Sequence, residues 1–158
     1  MPVNGRAKGR AFEQQIARDL RRQLGAGWVV ERNQTDRQRG ESGTAGEFSI
    51  VRREGSTGAP FRWCIECKAH KTFSEGQLWR TPVPGLIQEW WAQACRQAKA
   101  VGLAPLLIVR RTRGEILAIG LWDDRELIGT GPLMRIRLAE DLCAVRLWDR
   151  VLLFMGDE

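Results

Sequence analysis

The sequence predicts an α/β fold: a mixed central sheet flanked by helices, in the order α-β-β-β-α-β, with additional strands toward the C-terminus. Three observations carry that expectation. Apolar residues recur at helical spacing over residues 5–24 and again over 86–101. Residues 103–109 form an unbroken apolar run, as expected of a strand covered on both faces. Between the helices, Trp63-Cys64-Ile65-Glu66-Cys67-Lys68 reads as a short buried strand into which a carboxylate and an ammonium have been set.

The chain has 158 residues, 43% hydrophobic and 28% charged, which suits one domain with an adequate core. Neither a bilayer-spanning run nor a hydrophobic signal segment at the N-terminus is found, so the expected location is the cytoplasm and no membrane partner is expected. The four cysteines sit in apolar surroundings and read as small core residues of a reducing compartment. Net charge is +6 and unevenly placed. Residues 1–53 carry eleven Lys/Arg against six Asp/Glu, residues 54–121 nine against five, and residues 122–158 five against eight. The basic front two-thirds points to a polyanionic partner.

In the first helix, Phe12, Ile16, Ala17, Leu20 and Leu24 fall on one stripe, and Glu13 lies inside it. A carboxylate there either complements the helix dipole or looks inward at a site. Arg6, Lys8 and Arg10, spaced by Gly5 and Gly9, suit a phosphate backbone. Gly25-Ala26-Gly27 ends the helix, and residues 28–32, closing on Arg32, read as the first strand. Residues 33–46 are polar and glycine-bearing, with Asp36, Arg37, Arg39 and Glu41, and read as a long loop. Residues 46–51 form the second strand. Residues 53–58 then supply a hairpin turn, so that the strand of Glu66 returns antiparallel beside it and brings Glu47 next to Glu66 and Lys68.

Side chains alternate along a strand, so Glu66 and Lys68 share a face, with Ile65 and Cys67 on the other. Taken alone, Glu-x-Lys is ordinarily a solvent-face pair on an edge strand. Other carboxylates converging on it would turn it into a site. The residues after Lys71 are irregular, with Phe73, Leu78 and Trp79 as anchors, and Trp79 is also a candidate wedge for DNA. Ile87, Trp90, Trp91, Ala94, Cys95, Ala98 and Val101 form the core stripe of the second helix, flanked by Gln93 and Gln97. Residues 115–122, 133–138 and 144–155 read as strands, the last with a helical alternative, and residues 123–128 as a short helix. The Cys64/Cys67 spacing does not make a zinc site, because no second pair is near and a strand throws the two thiols to opposite faces.

Four pieces, Lys8-Gly9-Arg10-Ala11-Phe12-Glu13, Gly46-Glu47-Phe48, Ile65-Glu66-Cys67-Lys68 and the Trp90-Trp91 helix with Gln93 and Gln97, resemble in order and spacing the PD-(D/E)xK nuclease superfamily. Within it the chain looks most like archaeal-type Holliday junction resolvases and phage resolvase-like nucleases. The resemblance covers about residues 5–112 and leaves 113–158 as a C-terminal extension. It implies a restriction-endonuclease-like core and hydrolysis of DNA phosphodiesters with Mg²⁺, for which Mn²⁺ would substitute. It further implies Glu13, Glu47, Glu66 and Lys68 as the catalytic set. Glu47, Glu66 and the Cys67 backbone carbonyl would hold the metal, and Glu13 would act through water. Many members carry Asp where this chain has Glu47, so Asp36 and Glu41 compete for that place. Arg6, Lys8, Arg10, Arg32, Arg37, Arg39 and Lys71 are the expected DNA contacts, and Gln93 and Gln97 are at most positioning residues.

The expected partner is branched DNA, chiefly four-way junctions, with no organic cofactor. Paired cuts across a two-fold junction call for a homodimer. Apolar residues of the extension, among them Leu138, Leu147, Trp148 and Val151, would serve either the interface or the monomer's own sheet. A restriction-type or nicking enzyme on the same fold, or a non-catalytic DNA-binding protein, is the alternative.

Overall fold

Helix α1, Gly5–Leu24, forms where the apolar period places it, with Phe12, Ile16, Ala17 and Leu20 buried along one face. The computed structural model describes the backbone of residues 5–33, 46–110, 114–124 and 134–155, and the side chains of 8–33, 46–110, 114–124 and 134–151. Arg21 in the last turn of α1 donates two N–H groups to the Val30 carbonyl, at 3.0 and 2.7 Å, and so fixes the helix against β1, Trp28–Arg32. Strand β1 pairs antiparallel with β2, Phe48–Arg52, and the two make a sheet of their own.

The hairpin expected between β2 and the strand of Glu66 does not form. That strand, β3 (Trp63–Ala69), is the edge of a second, five-stranded sheet of order β3-β4-β5-β7-β6, and its ladder partner is β4, Ala104–Arg110, in parallel register. The connector explains the departure. Arg52 turns its guanidinium back onto the carbonyls of Ala59, at 2.8 Å, and Thr57. Gly58, at φ +115°, passes so close that a Cβ there would lie 2.3 Å from that guanidinium. A connector wound around a side chain is too wide for a tight hairpin turn, and β3 sets off on a separate course.

A parallel pair needs a crossover. Here it is a 3₁₀ turn, Glu75–Trp79, followed by helix α2, Gly85–Val101, which stops where Gly102 takes the left-handed conformation at φ 69°. Strands β5 (Ile116–Leu121), β6 (Met134–Leu138) and β7 (Asp141–Leu147) complete the sheet by antiparallel pairing. The run expected as a strand to residue 155 divides at Leu147. From there α3, Trp148–Met155, turns back so that Trp148 and Val151, three apart, enter the core and the Trp148 indole donates to Asp19 at 3.3 Å. Residues 125–128, expected as part of a short helix, lie outside the described residues.

The sheet separates two cores. Leu106 and Ile108 of β4 join Phe12, Ile16, Leu20, Ile65 and Trp148 on the α1 side, whereas Leu107 and Val109 join Ile87, Trp91, Ile119 and Ile136 on the α2 side. Residues 134–151 therefore spend much of their apolar surface in the chain's own sheet: Ile136, Leu138, Cys143, Val145, Trp148 and Val151 are all buried. Phe73 and Leu78 are anchors as expected, but Trp79 is not; the short turn that sends Leu78 inward leaves Trp79 70% exposed. Among the described residues no helix is long and apolar enough to cross a membrane.

Candidate active site

The alternation of β3 puts Glu66 and Lys68 on the face covered by α2. Glu66 is completely buried, and Lys68 is 23% exposed. Lys68 Nζ lies 2.6 Å from Glu66 Oε1, and the Gln93 amide of α2 donates to the same oxygen at 2.8 Å. Among the described residues Glu66 Oε2 has no hydrogen-bond partner. A buried acceptor left in that state costs about 1–3 kcal/mol, more when it is charged. A fold that retains it holds a carboxylate poised for a cation or for a donor on a ligand. Gln97, one turn beyond Gln93, likewise buries an amide oxygen without a partner.

Glu47 reaches β3 by backbone geometry. Its N–H donates to Ile65 O at 2.8 Å, and its carbonyl accepts from Asn33 N at 2.9 Å, continuing the β1–β2 ladder by one rung. The Asn33 side chain adds a bond to Gly46 O at 3.0 Å. Gly46 sits at φ +82°, and a Cβ on it would stand 2.7 Å from Ile65 O and 2.9 Å from Cys64 Sγ. Only glycine fits that approach. The adjacency of Glu47 and Glu66 expected from a hairpin is thus present, by a different route. Glu47 itself is 4% exposed.

Two buried thiols register the surrounding charge. Burial first, then Glu66 and Glu47, push the Cys64 thiol up to about 12. Cys67 is held well above the usual thiol range by burial, then by Glu47, Glu66 and Glu13, with Lys68 opposing. Cys64 shares the Glu66 face and Cys67 the opposite one. Backbone groups two apart on a strand face the same side. Ile65 O faces away from β4 toward Glu47, and Cys67 O is directed to that same open edge.

These residues suit a hard divalent cation. The donors are carboxylate and carbonyl oxygens, and one buried carboxylate oxygen lacks a partner. Among the described residues no group of three or more His, Cys, Asp and Glu side chains could hold an ion unaided. Two carboxylates and one carbonyl would leave the remaining positions of a hexacoordinate cation to water and substrate.

Glu13 comes to the α1 side of this edge, with Oε2 2.8 Å from Arg32 Nη1. Arg32, expected to face DNA, is engaged there. Lys8, Arg10 and Lys71 are exposed, while Arg37, Arg39, Asp36, Glu41 and the side chain of Arg6 lie outside the described residues. Sequence reasoning overlooked Asn33, which looks like any polar residue at a strand end, and set Gln93 too low. The signal for Gln93 was its place beside the stripe of Trp90 and Ala94, close enough to reach over the sheet.

The family model "Phage putative PDDEXK endonuclease" matches residues 4–125. Among curated proteins, Protein D14 of Escherichia phage T5 is 27% identical over 118 residues, covering 74% of this chain and 71% of that protein. No solved structure gives a significant match.

Proposed function

The chain belongs to the phage PDDEXK endonuclease family, and from that premise we propose that it hydrolyses phosphodiester bonds of branched DNA, four-way junctions above all, with Mg²⁺ or Mn²⁺ at Glu47, Glu66 and the Cys67 carbonyl. The observation that carries the reading is the buried Glu66, held on one oxygen by Lys68 and Gln93 and left open on the other, beside the docked Glu47. The cation, when bound, supplies Lewis acidity at a phosphoryl oxygen and an acidified water.

The chain's own residues do the rest. Lys68 Nζ has three N–H donors, one of them turned to Glu66; the others suit a scissile phosphate oxygen or the attacking water. Gln93 holds Glu66 Oε1 so that the open oxygen keeps its direction. Arg32 steadies Glu13, which is placed to orient a water. Lys8, Arg10 and Lys71, all exposed, give the phosphate backbone its counter-charge.

In this reading residues 1–158 act as one nuclease domain, working as a homodimer in the host cytoplasm. Since Ile136, Leu138, Trp148 and Val151 are buried within the chain, the dimer rests on the symmetry of a four-way junction and not on a spare apolar tail. The test is cleavage of a panel of four-way, three-way, flapped and linear DNAs with Mg²⁺, with and without chelator, alongside light scattering. Paired, chelator-sensitive cuts in the four-way substrate are expected. Equal cutting of linear duplex would favour a restriction-type or nicking enzyme, and binding without any cleavage would reduce the protein to a DNA-binding one.

A further inference from the structure

At the far edge of the large sheet, β6 and the segment between the 3₁₀ turn and α2 enclose a groove of about 540 Å³. Pro82 and Met134 line it together with Trp79, Arg80, Arg135 and Arg137, and among the described residues none that lines it is acidic. Trp79 is 70% exposed, the most solvent-exposed of the large apolar side chains among the described residues. Arg80, Arg135 and Arg137 are exposed too, and none is in an ion pair among the described residues. Arg135 lies over the Trp122 ring at 5.1 Å, a contact that orients the guanidinium without cancelling its charge. Arg80 follows Trp79 on the α2 side of the sheet, whereas Arg135 and Arg137, alternating with buried Ile136 and Leu138, leave the edge strand on its other face. An exposed indole with guanidiniums on both sides of the neighbouring edge strand matches a polymer of flat bases and anionic linkers.

Register places this groove relative to Glu66. Lys68, Val109, Leu117 and Leu147 form one transverse row, and Met134 pairs with Val145 two residues from that row. Val145 lies on the row of Glu66, and β6 runs from Met134 on that row away from the Lys68 end toward Arg137, four strand spacings, or about 19 Å, from β3. The chain leaving β3 passes through exposed Lys71 before reaching Trp79 and Arg80.

We infer that this groove holds an unpaired stretch of the DNA substrate, one base stacked on Trp79, a flanking phosphate on Arg80, and the strand continuing over the sheet edge to Arg135 and Arg137. The inference rests on the nucleic-acid reading of the Glu66 centre. It adds a determinant of substrate structure: DNA with single-stranded character within about 19 Å of the scissile bond engages both places, and fully paired linear duplex engages one.

The test uses the full chain in EDTA, with fluorescence anisotropy of a labelled short oligothymidylate and of a duplex of matched length. Trp79→Ala is expected to weaken oligothymidylate binding about tenfold and to change duplex binding little. Trp79→Phe should retain most of the affinity, and Arg135→Ala with Arg137→Ala should flatten its salt dependence. Oligothymidylate binding unchanged in Trp79→Ala overturns the groove and leaves the nuclease reading standing. So does a wild type that cleaves duplex with Mg²⁺ but ignores oligothymidylate. A wild type that neither binds nor cuts any DNA overturns both readings. Binding lost in Trp79→Ala from a protein that never cleaves supports the groove and sinks the nuclease. A change in sedimentation with no change in DNA affinity would make the groove a contact between copies, and the inference would fall.

Discussion

At the β3 edge of the large sheet the charged groups include carboxylates that are buried, Glu47 at 4% and Glu66 at 0% exposure; at the β6 edge they are guanidiniums left in solvent. The first edge is covered, because the Glu47 N–H bonds to it, Gly46 packs closely against it and a second sheet stands behind them. The second stays open. Desolvation separates the two kinds of work. In the buried Glu66 carboxylate Lys68 and Gln93 satisfy one oxygen, and the other, without a partner among the described residues, favours a cation or a donor. Exposed arginines keep their hydration and attract a polyanion from a distance, weakly and without fixing any atom. A reaction needs the first arrangement, and holding a long substrate needs the second.

The sharpest way to break that contrast is Glu66→Gln, which keeps the shape and removes the charge. Cleavage should fall by orders of magnitude while DNA binding persists or tightens, as read by single-turnover cleavage beside anisotropy. Near-normal turnover would remove Glu66 from the chemistry and make its burial a matter of packing.

A subtler break compares two glycines of nearly equal conformation. Gly46 and Gly55 have φ of +82° and +83°, but a Cβ at Gly55 meets nothing within 4 Å. Gly55→Ala should lower stability by about 1 kcal/mol for backbone reasons alone and leave cleavage intact. Gly46→Ala should cost about 3 kcal/mol, because β3 must also give way. It should also depress turnover well beyond that loss, because Glu47 moves with it. Urea midpoints together with turnover of the folded fraction decide the matter, and equal behaviour of the two variants would detach Glu47 from the site.

The smallest effect belongs to Gln93→Ala. Glu66 Oε1 would keep Lys68 and lose its fixed direction, so turnover should drop on the order of tenfold and half-saturation by Mg²⁺ should rise. Gln93→Glu would place a like charge against Glu66 and should be worse. An unchanged metal requirement in Gln93→Ala would mean that Lys68 alone orients the carboxylate.

The helix boundaries of α1, the alternation that pairs Glu66 with Lys68, and the twice-covered β4 were all legible, because each follows from spacing within one segment. The partner of β3 was not. Gly55 and Gly58 look like the makings of a hairpin, and only the position of the Arg52 guanidinium turns their segment into a wide connector. From the sequence Trp148 stands between strand and helix because an apolar run carries no period of its own; the helical alternative forms, and the partners of Trp148, Asp19 and the α1 core, are far away in sequence. Gln93 was undervalued for the same reason. An amide on a helix flank is worth little until something buried stands opposite, and Glu66 is 27 residues earlier in the chain.

The bond from the Glu47 amide to Ile65 O gives this fold a gauge that an exchange experiment can read. That amide joins two sheets that otherwise fold on separate ladders. It trades its proton with solvent when the small sheet lifts from the large one, and stays protected otherwise. Its protection factor therefore measures the free energy of local opening, a quantity distinct from global stability. The same opening withdraws Glu47 from Glu66, so with Glu47 as the proposed metal ligand the fraction of molecules able to turn over should not exceed the fraction in which this one amide is closed. Solution conditions that speed its exchange while the β4 amides stay protected should lower activity in proportion, with the bulk of the protein still folded.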